Sequence, residues 1–295
     1  MWDVKAIWNN KRNCITCRMN GIINIIMELK ILTLNCGTKK EANNYGRGSY
    51  VGGLNDFLAG LFASGYYDFL LLQEFNRHTS DELSSKLGNY KLLRMFDNEM
   101  NADSEVAIIY RSNFVLGESR FYSFASSKKW NLKWPGVLGF LLGKFQTPAG
   151  DLIIGSIHLN PLLHFITRQK QARFLKDRLR EFNTHDLPVI FGGDFNSGLV
   201  GEKPLHKSIL RPEFENVTET SGPTVDSRYI EPVVWQASLS VFLAKLGIGI
   251  RMKVDHIYAD RKTAGENIVF CKVLGDRVSD HSAVEVVLTS VTTAR

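Results

Sequence analysis

The feature that most restricts what this chain can fold into is a set of short apolar runs that keep their reactive residues for one end. "KILTLN" closes on Asn35, "FLLLQE" on Glu74, "IIGSIH" on His158, and "VIFGGDFN" on Asp194 and Asn196. Asp255 opens "VDHIYA", and Asp280 with His281 stands just before "SAVEVVL". Runs of this length, rich in Val, Ile, Leu and Phe and bounded by Gly, Asn and Asp, read as buried strands. Because a strand alternates its side chains between two faces, Asp194 and Asn196 are expected to aim together, with Phe195 turned into the packing. Taken singly, each polar residue has a bland explanation: an Asn in a turn, a Glu beside a helix start, a His satisfied in a core.

Between these runs the pattern alternates with helices, without internal repeat or obvious linker. Leu54, Phe57, Leu58, Leu61 and Phe62 fall at helical spacing before Gly65, and Thr79 with Glu82 forms a capping box for a short helix ending at Gly88. From Tyr90 to His158 the patterning is β throughout. A long helix then carries a stripe of Phe165, Ala172, Leu175, Leu179 and Phe182, and "LPVIFGGDF", "VDHIYAD", "IVFCKVL" and "AVEVVL" close the chain as strands. The expected class is α/β, in one domain spanning residues 27–295.

Residues 1–26 carry no such pattern and are expected to be a disordered leader or the product of a start codon set too early. They also hold Lys5, Lys11, Arg12 and Arg18 against Asp3, so half of the net charge of +6 comes from them and the rest is only weakly basic. Four cysteines at irregular spacing do not read as a disulfide framework. The longest apolar stretch is interrupted by Gln236, Ser238, Ser240 and Lys245, so no transmembrane segment is expected, and neither is a secretory signal. The expected location is cytoplasmic.

Collected together, the strand-end residues name a chemistry. Hard oxygen ligands (Glu74, the Asn35 amide, Asp280) suit Mg²⁺ or Mn²⁺, which retain waters that a substrate phosphate can replace. Two histidines and a further carboxylate add proton-transfer groups. In order along the chain, "LTLN", "LLLQE", "GSIHLN", "GGDFNSG", "VDHIYA" and "SDHS" resemble the motifs of the endonuclease/exonuclease/phosphatase superfamily, the DNase I-like phosphoesterases, from about Leu29 to Leu288. The resemblance implies a four-layer α/β sandwich: two packed mixed β-sheets flanked by helices, with the site at one end. It implies that Asn35 and Glu74 hold the metal with Asp280 on the metal side. Asp194 would orient or deprotonate water, or assist the leaving group, and Asn196 would hold a phosphate oxygen. His281 would contact the phosphate or take a proton with Asp255 fixing its tautomer, and His158 would donate to the transition state.

Arg168 falls on the inward stripe of the long helix, where a guanidinium reads first as a buried salt bridge pinning the helix to the site, ahead of direct phosphate contact. Tyr110 and Arg111, ending "SEVAIIYR", are secondary substrate-binding candidates by the same resemblance. In "SSKKWNLKWPG", Trp130 and Trp134 interleave with lysines; they could stack bases, meet a lipid interface or fill a hairpin. An apolar insertion at about 226–250 places Trp235, Leu239, Phe242 and Leu246 at helical spacing, as a packed helix or as a peripheral membrane or substrate flap through 233–250. His158 in "GSIHL" argues against the apurinic-site endonuclease branch. The expected activity is therefore Mg²⁺-dependent hydrolysis of a phosphodiester by a monomer, with nucleic acid placed first as substrate. A phospholipid or other small phosphoester comes second, and a non-catalytic binding module third.

Overall fold

The computed structural model describes residues 14–19, 22–37, 51–75, 77–94, 105–124, 139–148, 150–160, 165–197, 204–226, 251–264, 268–275, 279 and 281–294. Within them the chain forms two main mixed sheets. The first has the strand order β14-β15-β2-β3-β5-β4, built from β2 (Ile22–Asn35), β3 (Phe69–Phe75), β4 (Tyr90–Arg94), β5 (Glu105–Arg111), β14 (Ile268–Val273) and β15 (Val284–Ala294). The second has the order β10-β13-β9-β8-β7-β6, from β6 (Val115–Ser123), β7 (Gly139–Thr147), β8 (Gly150–His158), β9 (Val189–Asp194), β10 (Phe214–Asn216) and β13 (Asp255–Asp260). Each sheet contains one parallel pair, β2 with β3 and β8 with β9; its other neighbours run antiparallel.

Strand alternation sorts the core into three slabs. Ile31, Phe69, Leu71, Ile108, Ile154, Ile190 and Ile257 face the space between the sheets. Leu32, Leu34, Leu70 and Leu72 face the opposite way and pack with Leu54, Leu58 and Phe62 of helix α1 (Val51–Ser64) and Leu83 of helix α2 (Arg77–Ser84). On the far side, Ile153, Ile157, Val189, Phe191 and Phe195 meet Ala172, Leu175, Leu179 and Phe182 of helix α3 (Phe165–Phe182) and Leu205 and Ile209 of a π-helical turn (Pro204–Leu210). The outcome is the expected four-layer sandwich. Ala172, Leu175, Leu179 and Phe182 fall where the periodicity put them, and each fully buried Leu there contributes about 1.5–3 kcal/mol of apolar transfer.

Two expectations need correction. Residues 14–19 and 22–26 are not outside the fold: β2 begins at Ile22, pairs with β1 (Cys14–Met19) on one side and with the long β15 on the other. The ladder with β15 extends to Ile23, so the backbone amides of a stretch too short for a signal sequence are used in a sheet. Residues 1–13 lie outside the described residues. The second correction is at α2, which starts at Arg77, so Thr79 is inside the helix rather than its cap. Glu82 instead accepts a hydrogen bond from the Asn55 amide and ties α2 to α1.

Candidate active site

A parallel strand's C-terminal end lies beside the N-terminal end of an antiparallel neighbour, and this topology collects the strand-end residues. Asn35 and Glu74 come from the ends of β2 and β3, His158 and Asp194 from the ends of β8 and β9. Asp255 opens β13 directly opposite Asp194, and His281 precedes β15, whose Val284 pairs with Thr33. Asn35 shares the parity of Ile31, His158 that of Ile154, Asp194 that of Ile190 and Asp255 that of Ile257, so these four point into the mouth between the sheets.

Glu74 breaks this rule. Plain alternation would send it with Leu70 and Leu72 toward α1, but the β3–β5 register shifts between Leu72 and Phe75, and Glu74 has φ of 49°. The local bulge turns its carboxylate inward, where Oε1 accepts from Asn35 Nδ2 at 3.2 Å and lies 3.6 Å from His158 Nε2. A left-handed backbone at a non-glycine residue costs of the order of 1 kcal/mol or more and persists only where the surroundings enforce it. Asn196, at φ 48°, is the second such residue at the site.

Asp194 is the hub. Its Oδ2 accepts from Asn35 Nδ2 at 3.0 Å and lies 3.8 Å from His158 Nε2 and 3.9 Å from His281 Nε2. Its Oδ1 accepts the backbone N–H of Asn196 at 2.7 Å. The Asn196 amide in turn donates to the carbonyl of Leu159 at 2.9 Å, which pins the turn after β9 to the end of β8. The "GGDFN" segment is thus a turn and a site at once. Its glycines serve a close approach: Gly193 has φ of 151°, and a Cβ there would lie 1.9 Å from the carbonyl oxygen of Ile157.

Behind the hub, His281 Nδ1 lies 2.8 Å from Asp255 Oδ2. Ser279, not singled out from the sequence, donates from Oγ to the Asn35 carbonyl at 2.6 Å and accepts the His281 N–H at 3.0 Å. Thr224, likewise not singled out from the sequence, accepts the backbone N–H groups of Val254 and Asp255, each at 3.2 Å. The sole signal for either was a hydroxyl next to a motif, in "SDHS" and "SGPT".

The site concentrates buried negative charge. Asp194 and Asp255 are buried, Glu74 is largely so, and burial together with Asp255 pushes the Asp194 carboxyl up to about 6 against the opposing pull of His281 and His158. His158 Nε2 and Asp255 Oδ1 are buried without a hydrogen-bond partner among the described residues. Arg168 is buried on α3, where desolvation lowers its pKa and the Asp194 charge opposes that shift. Burial and neighbouring Glu74 push the Cys36 thiol up, so no thiolate is offered at neutral pH.

A divalent cation fits this donor set. Asp194, Asp255 and His281 bring ligand atoms within 4.8 Å of one another. His281 Nδ1 and Asp255 Oδ2 are, however, already engaged with each other. The hard oxygens of Glu74 and of Asn35, whose Oδ1 also accepts the Gly37 N–H at 3.0 Å, suit Mg²⁺ or Mn²⁺ better than an imidazole does.

The structure brings together Asn35, Glu74, His158, Asp194, Asn196, Asp255 and His281, with Arg168 beside them. It does not bring in Tyr110 or Arg111. β5 runs antiparallel to β3 and pairs Tyr110 with Phe69, at the opposite end from Glu74, roughly 17 Å away at the rise of a strand. There Tyr110 packs on Phe145, and Arg111 forms an ion pair with Asp68 at 2.7 Å. The resemblance fixed the sequence position of this pair but not the strand direction. Asp280, Trp130, Trp134 and residues 227–250 lie outside the described residues. The insertion leaves and re-enters through β11 (Val225–Asp226) and β12 (Arg251–Met252), which pair with each other, while Val225 bridges to His281. Its two anchors therefore stand at the site.

No protein-family model and no curated protein sequence matches the chain. Solved structures do. An endonuclease/exonuclease/phosphatase family protein from Bacteroides thetaiotaomicron superposes with TM-score 0.70 at 17% identity, covering 90% of this chain and 98% of that one. D. rerio TDP2, solved in complex with a single strand DNA product, gives 0.67 at 18% identity, covering 88% and 98%. A B. thetaiotaomicron mannosyl-6-phosphatase gives 0.68 at 16% identity, covering 90% and 100%. The chain has the fold of the endonuclease/exonuclease/phosphatase superfamily. Among the described residues, no helix is long and apolar enough to cross a membrane.

Proposed function

We propose that this chain is a divalent-metal-dependent phosphoesterase that cleaves a phosphodiester by attack of water, with nucleic acid the favoured substrate. The observation that carries the reading is the placement of Asp194. One buried carboxylate touches Asn35 from the first sheet and stands within 4 Å of both site imidazoles, His158 and His281.

In this reading Asn35 and Glu74 would hold Mg²⁺ or Mn²⁺, with Asp280 on the same side. When bound, that ion supplies charge neutralisation and polarisation of a phosphoryl oxygen. Asp194, whose raised affinity for a proton suits a base near neutral pH, orients and deprotonates the attacking water. His281 keeps its Nδ1 proton on Asp255 and so presents Nε2 to the phosphoryl oxygen, as a carboxylate-held imidazole does in other hydrolases. His158, with Nε2 lacking a partner among the described residues, supplies a second donor to the developing negative charge. Asn196 spends one amide hydrogen on Leu159 and offers the other to phosphate.

The likeness to a structure holding single strand DNA product supports nucleic acid. The likeness to mannosyl-6-phosphatase supports a second reading on the same site, a small phosphoester. Plasmid, single-stranded DNA, RNA, sphingomyelin, inositol phosphates and mannose 6-phosphate, each assayed with Mg²⁺ and with chelator, separate these. Chelator-sensitive cleavage of nucleic acid that weakens steeply with salt is expected. Turnover of none of the panel defeats the proposal.

A further inference from the structure

On the α3 side of the second sheet, directly behind the turn that carries Asn196, lies a buried polar chain that the proposed reaction does not use. Ser197 is fully buried, with its hydroxyl 2.8 Å from His206 Nε2 and 3.2 Å from His256 Nε2. His256 Nδ1 lies 3.0 Å from Asn216 Nδ2, and His206 Nδ1 contacts the Tyr258 hydroxyl. The two imidazoles, 4.4 Å apart, border a cleft of about 250 Å³.

One backbone group sets the direction of every proton in this chain. The N–H of Thr218 can only donate, and it meets Asn216 Oδ1 at 3.0 Å. The Thr218 hydroxyl donates to the same oxygen at 2.7 Å while accepting from the backbone N–H of Ile257 at 3.2 Å. Asn216 therefore turns its amide nitrogen, a donor, toward His256. His256 Nδ1 must accept, which puts the ring proton on Nε2 and aims it at Ser197 Oγ. The single hydroxyl hydrogen of Ser197 is left to donate to His206 Nε2. That makes His206 the Nδ1–H tautomer, donating to Tyr258. Neutral rings agree with their burial, which holds His206 down at about 4 and His256 well below the usual value.

We propose that Ser197 is a positioning residue for the active site. Clamped between two neutral imidazoles of fixed tautomer, it locks the turn in which Asn196 holds its left-handed backbone, reaching Asp194 with its N–H and Leu159 with its amide. On the other side of Asn196, Phe195 is fully buried, with its N–H donating to Val254 at 2.9 Å and its ring against Tyr258 and both histidines. Asn196 is thus strung between two immobilised neighbours, the condition under which an unfavourable φ is maintained. The inference rests on the phosphoesterase reading for its catalytic consequence, but not for the tautomers.

Two measurements test it. Long-range ¹H–¹⁵N correlation spectra of the wild-type protein at pH 7.5 should show His256 protonated on Nε2 and His206 on Nδ1; either opposite tautomer overturns the chain. With bis-p-nitrophenyl phosphate and Mg²⁺, Ser197→Ala should lower kcat roughly tenfold or more through misplacement of Asn196. The double variant Ser197→Ala/Asn196→Ala should be no slower than Asn196→Ala alone. Equal loss in both backgrounds overturns the positioning role. His206→Phe keeps a ring but denies the hydroxyl its acceptor, and repeats the cycle if Ser197→Ala does not fold. Lack of any turnover by wild-type protein defeats the phosphoesterase reading and the positioning role together, whereas turnover with an additive cycle defeats the positioning role alone.

Discussion

His281 is held by Asp255 through Nδ1 at 2.8 Å and faces Asp194 through Nε2 at 3.9 Å, so one ring spans the two buried carboxylates of the site. The two aspartates are ladder partners on adjacent antiparallel strands, β13 and β9. Their spacing is therefore set by the sheet itself.

Asp255→Asn should leave the fold intact and remove the group that fixes the His281 tautomer. Steady-state kinetics with bis-p-nitrophenyl phosphate should show kcat lowered about 10²–10⁴-fold, the range for loss of a positioned proton-transfer group. His281→Ala should fall within the same range, with little change in the Mg²⁺ concentration for half-maximal rate. Wild-type rates for both variants would remove His281 from the mechanism.

Glu74→Gln should do the reverse. Removing the formal charge that Glu74 brings beside the Asn35 amide should raise the Mg²⁺ concentration needed for half-maximal rate by about tenfold or more, with part of the rate recovered at high Mg²⁺. A metal titration of the rate, alongside calorimetric Mg²⁺ binding, distinguishes this from a general loss of activity.

The Asp194 carboxyl, pushed up to about 6 by burial, ties activity against stability. Between its unfolded value of 3.8 and about 6, the folded state binds more protons than the unfolded one. The protonated form thus stabilises the fold fully below the lower value, and this contribution is lost as pH rises through the upper one. At neutral pH in chelator, the buried charge should cost on the order of 3 kcal/mol. Asp194→Asn should be inactive yet melt above wild type in EDTA at pH 7.5, with the difference shrinking toward pH 4. Added Mg²⁺ should raise the Tm of wild type more than that of the variant. Equal melting at pH 7.5 would contradict the burial argument.

Gly193→Ala should destabilise by about 4 kcal/mol or more, since its methyl would meet the Ile157 carbonyl and no side chain is available to move aside. Arg111→Ala, by contrast, should lower the Tm modestly through its ion pair with Asp68 while leaving kcat/KM unchanged, because it stands at the far end of β3. Paired thermal melts and kinetics read both.

Much of this site was legible in the sequence because it follows strand parity. Counting by twos from Ile31, Ile154, Ile190 and Ile257 reaches Asn35, His158, Asp194 and Asp255, all on the inner face. Glu74 was found by motif although it is out of parity, since the bulge that turns it inward has no sequence mark of its own. Tyr110 and Arg111 were misplaced because whether a strand's last residues reach a site depends on strand direction, which periodicity does not encode. The extension of β2 back to Ile22 was missed because the first 26 residues show no hydrophobic period that separates a paired edge from a tail. Ser197, His206 and His256 are single polar residues at irregular spacing, and only the packing of the π-helical turn against β13 makes them a chain.

The two parallel pairs divide the work unevenly along the chain. Asn35 and Glu74 ride on one sheet, His158 and Asp194 on the other, and they meet only when the sheets dock. Neither the N-terminal nor the C-terminal half of the molecule contains a complete set. A molecule with either sheet unformed has no such cluster to offer.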